Sequence, residues 1–159
     1  MPTSAITALA TLTLGSAQAT VTFSGISQSY RDLRLVCFNS NAAVTQFQLQ
    51  VNSNSSAFTA VQAYGNGSSA NSVTYTGDGS FYTGLWWGME GDLYTADIFD
   101  YAQTDKHKPV ISRMNRAASY VSMEAGRYTA TTAVTTLKII GISNNIQAGS
   151  TFTLYGIQS

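Results

Sequence analysis

Charged side chains are scarce in this sequence. Acidic and basic residues make up 10% of 159 residues, and eight Lys and Arg balance eight Asp and Glu to a net charge of zero. Typical soluble domains carry about a quarter charged residues. No run of Lys and Arg could follow a phosphate backbone, so we expect no nucleic-acid binding. A weakly charged surface does not favour a dispersed monomer, which indicates assembly with other subunits.

Histidine and cysteine occur once each, which limits the available chemistry. Cys37 excludes a disulfide within the chain, and the apolar run at 33–38 predicts a buried thiol. His107 lies between Lys106 and Lys108 in a predicted loop, and no Gly-x-Ser-x-Gly turn occurs to place a nucleophile. The distant His and Cys cannot form a zinc site. We predict a protein that is not an enzyme and needs no cofactor.

Long hydrophobic runs are also missing, so we expect no membrane-spanning segment. Residues 5–14 are moderately apolar and are followed by Ala17-Gln18-Ala19, which fits a signal-peptide cleavage site. However, no Lys or Arg precedes Arg31, and Leu alternates with Thr as in a strand. We predict a first strand here; a cleaved signal peptide is the alternative.

Uncharged polar residues take the place of charged ones, as is common in β-proteins. Ser, Thr, Asn and Gln make up roughly a third of the chain, with thirteen Gly and two Pro as punctuation. Apolar and polar residues alternate most clearly over 46–51, where Phe47, Leu49 and Val51 are interleaved with glutamines. About ten such segments, at ~8–12-residue spacing, predict an all-β fold: one antiparallel, jelly-roll-like β-sandwich domain over residues 1–159.

The last 23 residues are typical of two strands with a turn between them. In the first strand, Leu137 and Ile139 alternate with residues that are also largely apolar, which is typical of a central strand. In the second strand, at 151–157, Phe152 and Leu154 share one face while Thr153 and Tyr155 share the other. The chain therefore closes on a sheet.

Three segments are less regular. Residues 57–64 fit either a strand or a short helical turn. Over 93–101, Tyr94, Ala96 and Ile98 share a face that could extend to Asp100. Gly126 predicts a turn between a strand at 117–124 and another at 127–132.

Three stretches carry a resemblance to a known family. TVTFSGISQSYRDLRLV at 20–36, IFDYAQTDKHKPVISR at 98–113 and AGSTFTLYGI at 148–157 resemble, in the same order along the chain, the opening strands, the central hairpin and the end of small β-sandwich virion proteins of tailed bacteriophages. Members of that family are capsid decoration (cement) proteins or terminal modules of tail and fibre proteins. The similarity runs from about Thr20 onward and consists of turn-and-strand patterns.

The resemblance implies a function. It predicts a virion structural protein made in the host cytoplasm and located on the outer surface of the capsid. There it would bind the major capsid protein as a homotrimer and stabilise the shell. The alternative is a receptor- or glycan-binding module at a tail fibre or baseplate; a secreted lectin-like protein would require cleavage of the N-terminus.

Five of the eight acidic residues lie within one hairpin's length: Glu90, Asp92, Asp97, Asp100 and Asp105. A glycosidase needs two facing carboxylates, and a calcium site needs several converging oxygens. Neither spacing is specific. We predict solvated charges, some of them paired with Lys106, Lys108, Arg113 or Arg116; a Ca²⁺ ion bound near Glu90, Asp92, Asp97 and Asp100 stays open.

An aromatic cluster is the remaining candidate site. In a strand, Trp86 and Trp87 would point to opposite faces, so that one side chain packs in the core. The other could be structural as well, could lie at an interface with another subunit or the capsid, or could offer a platform on which a sugar stacks. We select five residues as interface candidates: Tyr82, Trp86, Trp87, Met89 and Tyr155.

Overall fold

The computed structural model describes residues 5–40, 47–54, 56–78, 81–82, 92–116, 120–142 and 144–158. These residues form twelve strands. In chain order the strands are β1 (Ile6–Thr13), β2 (Thr20–Ser24), β3 (Asp32–Asn39), β4 (Phe47–Val51), β5 (Phe58–Gly65), β6 (Ala70–Asp78), β7 (Phe81–Tyr82), β8 (Asp92–Ile98), β9 (Lys108–Arg116), β10 (Tyr120–Tyr128), β11 (Thr136–Gly141) and β12 (Thr151–Ile157).

The strands form two antiparallel sheets. The larger sheet has eight strands in the order β1-β12-β3-β8-β9-β10-β5-β6, and the smaller has four in the order β2-β11-β4-β7. The predicted all-β sandwich, with jelly-roll-like architecture, is confirmed. In the part of the chain given above, no helix is long and apolar enough to cross a membrane.

The core lies between the sheets because each contributes one apolar face. Leu49, Val51, Leu137 and Ile139 of the small sheet are at most 1% exposed. They belong to the same buried cluster as the inward residues of β3, β8 and β12 in the large sheet. Phe47 meets Phe152 across the gap, with ring centroids 6.5 Å apart in an edge-on arrangement. Both alternations predicted from the sequence, in β4 and in β12, are confirmed.

The strands predicted near the two ends of the sequence are present. β1 pairs with β12, which confirms the predicted first strand. β11 lies between β2 and β4, as expected of a central strand. However, β11 and β12 belong to different sheets, so the segment between them crosses from one layer to the other instead of closing a hairpin.

Three sequence predictions need correction or completion. Residues 58–65 are a strand and not a helical turn. Gly126 does not begin a turn, because β10 continues through it to Tyr128 and pairs on both sides, with Val110 of β9 and Ala60 of β5. Asp100 lies beyond the end of β8 with φ of 51°, so it is not on the strand face that Tyr94 begins.

Candidate functional site

Two of the three segments that carry the resemblance, 20–36 and 98–113, are joined by hydrogen bonds between the turns that follow β2 and β8. Asp32, which is 2% exposed, accepts a hydrogen bond at Oδ1 from the backbone N of Asp100 (2.9 Å) and one at Oδ2 from Arg31 Nε (2.7 Å). The hydroxyl of Tyr101 donates to the carbonyl oxygen of Ser27. The turn after β2 is thereby joined to the turn after β8, although about seventy residues separate them.

Lys108 and Gln28 extend the same network to the 129–135 segment. Lys108 is buried, and its Nζ donates to the carbonyl oxygens of Lys106 (3.0 Å) and Thr131 (2.5 Å). Burial lowers the Lys108 pKa. Gln28 Nε2 donates to the carbonyl oxygen of Val134 at 3.0 Å. These side chains bind backbone groups of the protein itself, so they stabilise the fold at this end of the molecule.

The acidic residues of the hairpin do not converge. Asp97 points outward and forms a bidentate pair with Arg34 (2.6 and 3.0 Å), which raises the Arg34 pKa. Asp92 is buried on the opposite face of the same strand. Asp100 pairs with Lys106 at 2.9 Å, one of the pairings predicted, and Asp105 is exposed.

The described residues test part of the candidate calcium site. Within the ranges that the structure describes, no group of three His, Cys, Asp or Glu side chains is placed to hold a metal ion. Glu90 lies outside those ranges.

The two residues with reactive side chains are placed as predicted. Cys37 is 1% exposed and its pKa is raised by burial, so the thiol is held in its neutral, unreactive form. His107 is exposed in the loop before β9.

The predicted interface residues fall partly outside the described ranges. Trp86, Trp87 and Met89 lie outside the described residues, and only the backbone of Tyr82 is described. Tyr155 is half-buried on the outer face of the large sheet, where it is the cross-strand partner of Arg34.

A surface that the sequence analysis missed lies on the same sheet. Over a short stretch of β5, β9 and β10 the polarity is inverted, with apolar residues pointing to solvent and polar residues pointing inward, whereas Phe58, Val110 and Tyr128 of the same strands are buried. Val121 and Met123 are 62% and 59% exposed, whereas Ser122 and Glu124 between and after them are buried.

The inversion continues across the neighbouring strands. Val61 is 53% and Ile111 is 47% exposed, while Gln62 and Ser112 beside them are buried. With Leu93 and Phe38, these residues form what we call the outer patch: Phe38, Val61, Leu93, Ile111, Val121 and Met123. Strands lie about 4.8 Å apart, so the five strands that carry the patch span about 19 Å. The exposed polar residues Asn115 and Arg113 lie among the patch residues. Exposed apolar patches bordered by polar residues are typical of interaction sites.

The inward side of the inversion is a buried polar row. Gln62, Glu124 and Ser112 are consecutive cross-strand partners on β5, β10 and β9. Tyr75 donates from its hydroxyl to Gln62 Oε1 at 3.2 Å. Burial, and then the charge of Glu124, raise the pKa of Tyr94 well above its ordinary value. The row contains one carboxylate, so it offers hydrogen bonds but not a pair of acids for glycoside hydrolysis.

A groove with one cation lies within the outer patch. It has a volume of about 230 Å³ and is lined by Leu93, Thr95, Arg113, Met114, Asn115, Val121 and Ser122. Arg113 is exposed, and its Nε donates to Thr95 Oγ1 at 3.1 Å. The signal in the sequence for this surface is the alternation of Val121 and Met123 with Ser122 and Glu124. The alternation alone does not determine which of the two sets faces solvent.

The sequence matches no protein-family model and no curated protein sequence. Structural comparison finds an exo-inulinase from Aspergillus awamori (12% identity, TM-score 0.47), in which 96% of this chain covers 29% of the other. It also finds the galectin LEC-6 of Caenorhabditis elegans (12% identity, TM-score 0.38; 94% and 96% covered) and a tetrameric galectin from the sponge Cinachyrella sp. (10% identity, TM-score 0.33; 88% and 99% covered). The chain thus spans less than a third of the inulinase.

Proposed function

We propose that the protein is a structural component of a tailed-bacteriophage virion, namely a capsid decoration (cement) protein. In this proposal it binds the major capsid protein on the outer surface of the shell as a homotrimer. The homotrimer and the capsid location come from the resemblance of residues 20–36, 98–113 and 148–157 to virion proteins.

The observation that carries the proposal is the local inversion of polarity in β5, β9 and β10, around Val61, Ile111 and Val121. A strand buried on one face normally turns its apolar residues inward, because burying a polar group costs free energy unless it is hydrogen-bonded. Here Val121 and Met123 face water in the isolated chain. Such an arrangement is favourable when another protein surface covers the outer face, as in a component that functions on an assembled shell.

The mechanism is mass action. A ligand that binds the assembled shell and not the separated capsomers stabilises the shell by its binding free energy. At a free concentration 100 times Kd, one bound site contributes about 2.7 kcal/mol. Repeated over many sites, this resists the loss of capsomers without any covalent chemistry.

The test is co-sedimentation of the purified protein with phage heads that lack it. We expect saturable binding in a fixed ratio to the major capsid protein, equal for tailed and tailless particles. Sedimentation equilibrium of the free protein, whose protomer mass is 17.0 kDa, tests the homotrimer separately. Binding to tails or host cells but not to heads would replace the decoration role with receptor binding.

A further inference from the structure

We propose that the groove beside Arg113 binds a carboxylate of a partner protein that carries an aliphatic side chain next to that carboxylate. This inference rests on the proposed function in one respect: the partner is identified as a shell protein. It is carried by the geometry of the groove and by the distribution of charge around it.

The guanidinium of Arg113 is oriented for this contact. Thr95 is its cross-strand partner, and the hydroxyl of Thr95 accepts the Nε hydrogen at 3.1 Å. That bond fixes one edge of the planar group. The Nη atoms, which make no ion pair with a carboxylate in the described ranges, form a two-pronged donor. A carboxylate is the group that fits such a donor in two parallel hydrogen bonds.

Charge complementarity selects the partner. The outward residues of β5, β8, β9 and β10 include one carboxylate, Asp97, which is already bound to Arg34. Arg113 and Arg127 leave this face with a positive charge. A second copy would bring an equally positive face, with Arg113 near Arg113 in a two-fold contact, so a different, acidic surface is favoured.

The apolar walls specify the rest of the ligand. Leu93 and Val121 flank the groove, which at about 230 Å³ accommodates one branched aliphatic side chain and not a large surface. An aliphatic group bound there is removed from water and also buries the side chains of Leu93 and Val121. The carboxylate remains at the edge of the groove, bound to Arg113. A Leu, Ile or Val beside an Asp, a Glu or a chain terminus has this chemistry.

A small ligand tests the site independently of any phage particle. N-acetyl-leucine carries the aliphatic side chain and the carboxylate, and N-acetyl-leucinamide carries the side chain alone. Titration followed by ¹H–¹⁵N NMR should shift the Arg113 Nε–H and the Leu93 and Val121 amides with a Kd on the order of 1 mM for the acid. We expect the amide to bind at least about tenfold more weakly.

Variants of Arg113 test whether this arginine is what distinguishes the acid from the amide. Arg113→Gln should abolish the difference between acid and amide, and Arg113→Lys should restore part of it, because a lysine offers charge without the two-pronged geometry. Arg127→Gln is the matched control, an exposed arginine on the same face outside the groove, and should leave the titration unchanged. Equal responses to acid and amide, or equal losses in the two glutamine variants, would overturn the inference.

Binding to phage heads separates this inference from the proposed function. Heads that bind the wild type but bind Arg113→Gln about tenfold more weakly support both. Heads that bind wild type and Arg113→Gln alike leave the decoration role standing and overturn the carboxylate site. A positive titration with N-acetyl-leucine, together with no binding of wild type to heads, supports the site and removes the decoration role.

Discussion

Asp32 and Asp100 are joined by a 2.9 Å hydrogen bond from the backbone N of Asp100 to the buried carboxylate of Asp32. The bond stabilises a turn in which Asp100 has a left-handed backbone, with φ of 51°. Asp32 therefore determines the geometry at the end of β8, where the chain enters the loop to β9.

Replacing Asp32 should destabilise the fold through that amide. We expect Asp32→Ala to lower the free energy of unfolding by about 2–3 kcal/mol, because the part-buried backbone N–H of Asp100 loses a charged acceptor. Asp32→Asn keeps an acceptor and should cost less. Urea unfolding measures both, with Asp105→Ala as the exposed control, expected within about 0.5 kcal/mol of wild type. Equal effects of Asp32→Ala and Asp105→Ala would contradict this role.

Asn52 connects the end of β4 to the segment before β11. Its Nδ2 donates to the carbonyl oxygen of Ala133 (2.7 Å), and its Oδ1 accepts from the backbone N of Thr135 (2.9 Å) and of Thr136 (3.1 Å), at φ of 50°. We expect Asn52→Ala to cost about 3 kcal/mol and Asn52→Gly about 2 kcal/mol, since glycine removes the bonds but accepts the backbone. Thermal and urea unfolding should give this order; a glycine variant less stable than the alanine variant would refute it.

Gly156 leaves room for the ring of Tyr30. A Cβ atom at this position would lie 2.5 Å from Tyr30 Cγ and 2.7 Å from both Cδ atoms, so Gly156→Ala must displace the ring. We expect a loss of about 1–3 kcal/mol in unfolding free energy. In the background of Tyr30→Ala, the same substitution should cost less than half as much. Additive effects in this double-mutant cycle would show that the ring is not what excludes a side chain.

The outer patch is expected to matter for binding and not for folding. Val121→Ser with Met123→Ser should reduce binding to phage heads at least about tenfold. Since both side chains are already largely exposed, the stability of the free protein should stay within about 0.5 kcal/mol. The matched control is Gln48→Ser with Gln50→Ser, two half-buried positions on β4 in the other sheet. A loss of head binding in the control pair, or none in the patch pair, would argue against the outer patch as the docking surface.

Cys37 should make stability fall with alkaline pH. The thiol has an ordinary pKa of 9.0, which burial raises in the folded protein. The folded state therefore keeps a proton that the unfolded state loses, so the contribution of Cys37 is complete below pH 9 and declines as pH rises toward the folded pKa. The decline should approach about 1.4 kcal/mol per pH unit.

The comparison of Cys37→Ala with wild type separates this contribution from those of two other groups, which both proteins contain: Lys108, whose lowered pKa acts in the opposite direction, and Tyr94, whose raised pKa acts in the same direction. Urea unfolding between pH 8 and 10.5 should give a steeper decline for wild type than for the variant. Parallel curves for the two proteins would disprove the assignment.

Strand positions were largely predictable because the evidence for them is local. The period of two in β4 and β12 follows from the alternation of side chains along any extended chain, and Phe47, Leu49, Phe152 and Leu154 show it directly. Gly126 misled the prediction because glycine favours turns on its own, whereas here pairing on both sides of β10 holds it within a strand.

The sequence by itself determined an all-β chain with a single buried thiol, an exposed histidine and strands that end in tight turns. Only the tertiary structure decided which face of β10 is inside. Alternation along β10 defines two sets of residues but not which set faces inward. Tyr128 packs on Phe58 with ring centroids 5.3 Å apart, which places its own set inward. Ser122 and Glu124 belong to that set and are buried, whereas Val121 and Met123 are exposed. Contacts fifty or more residues apart make that choice, and a period of two along one strand does not contain them.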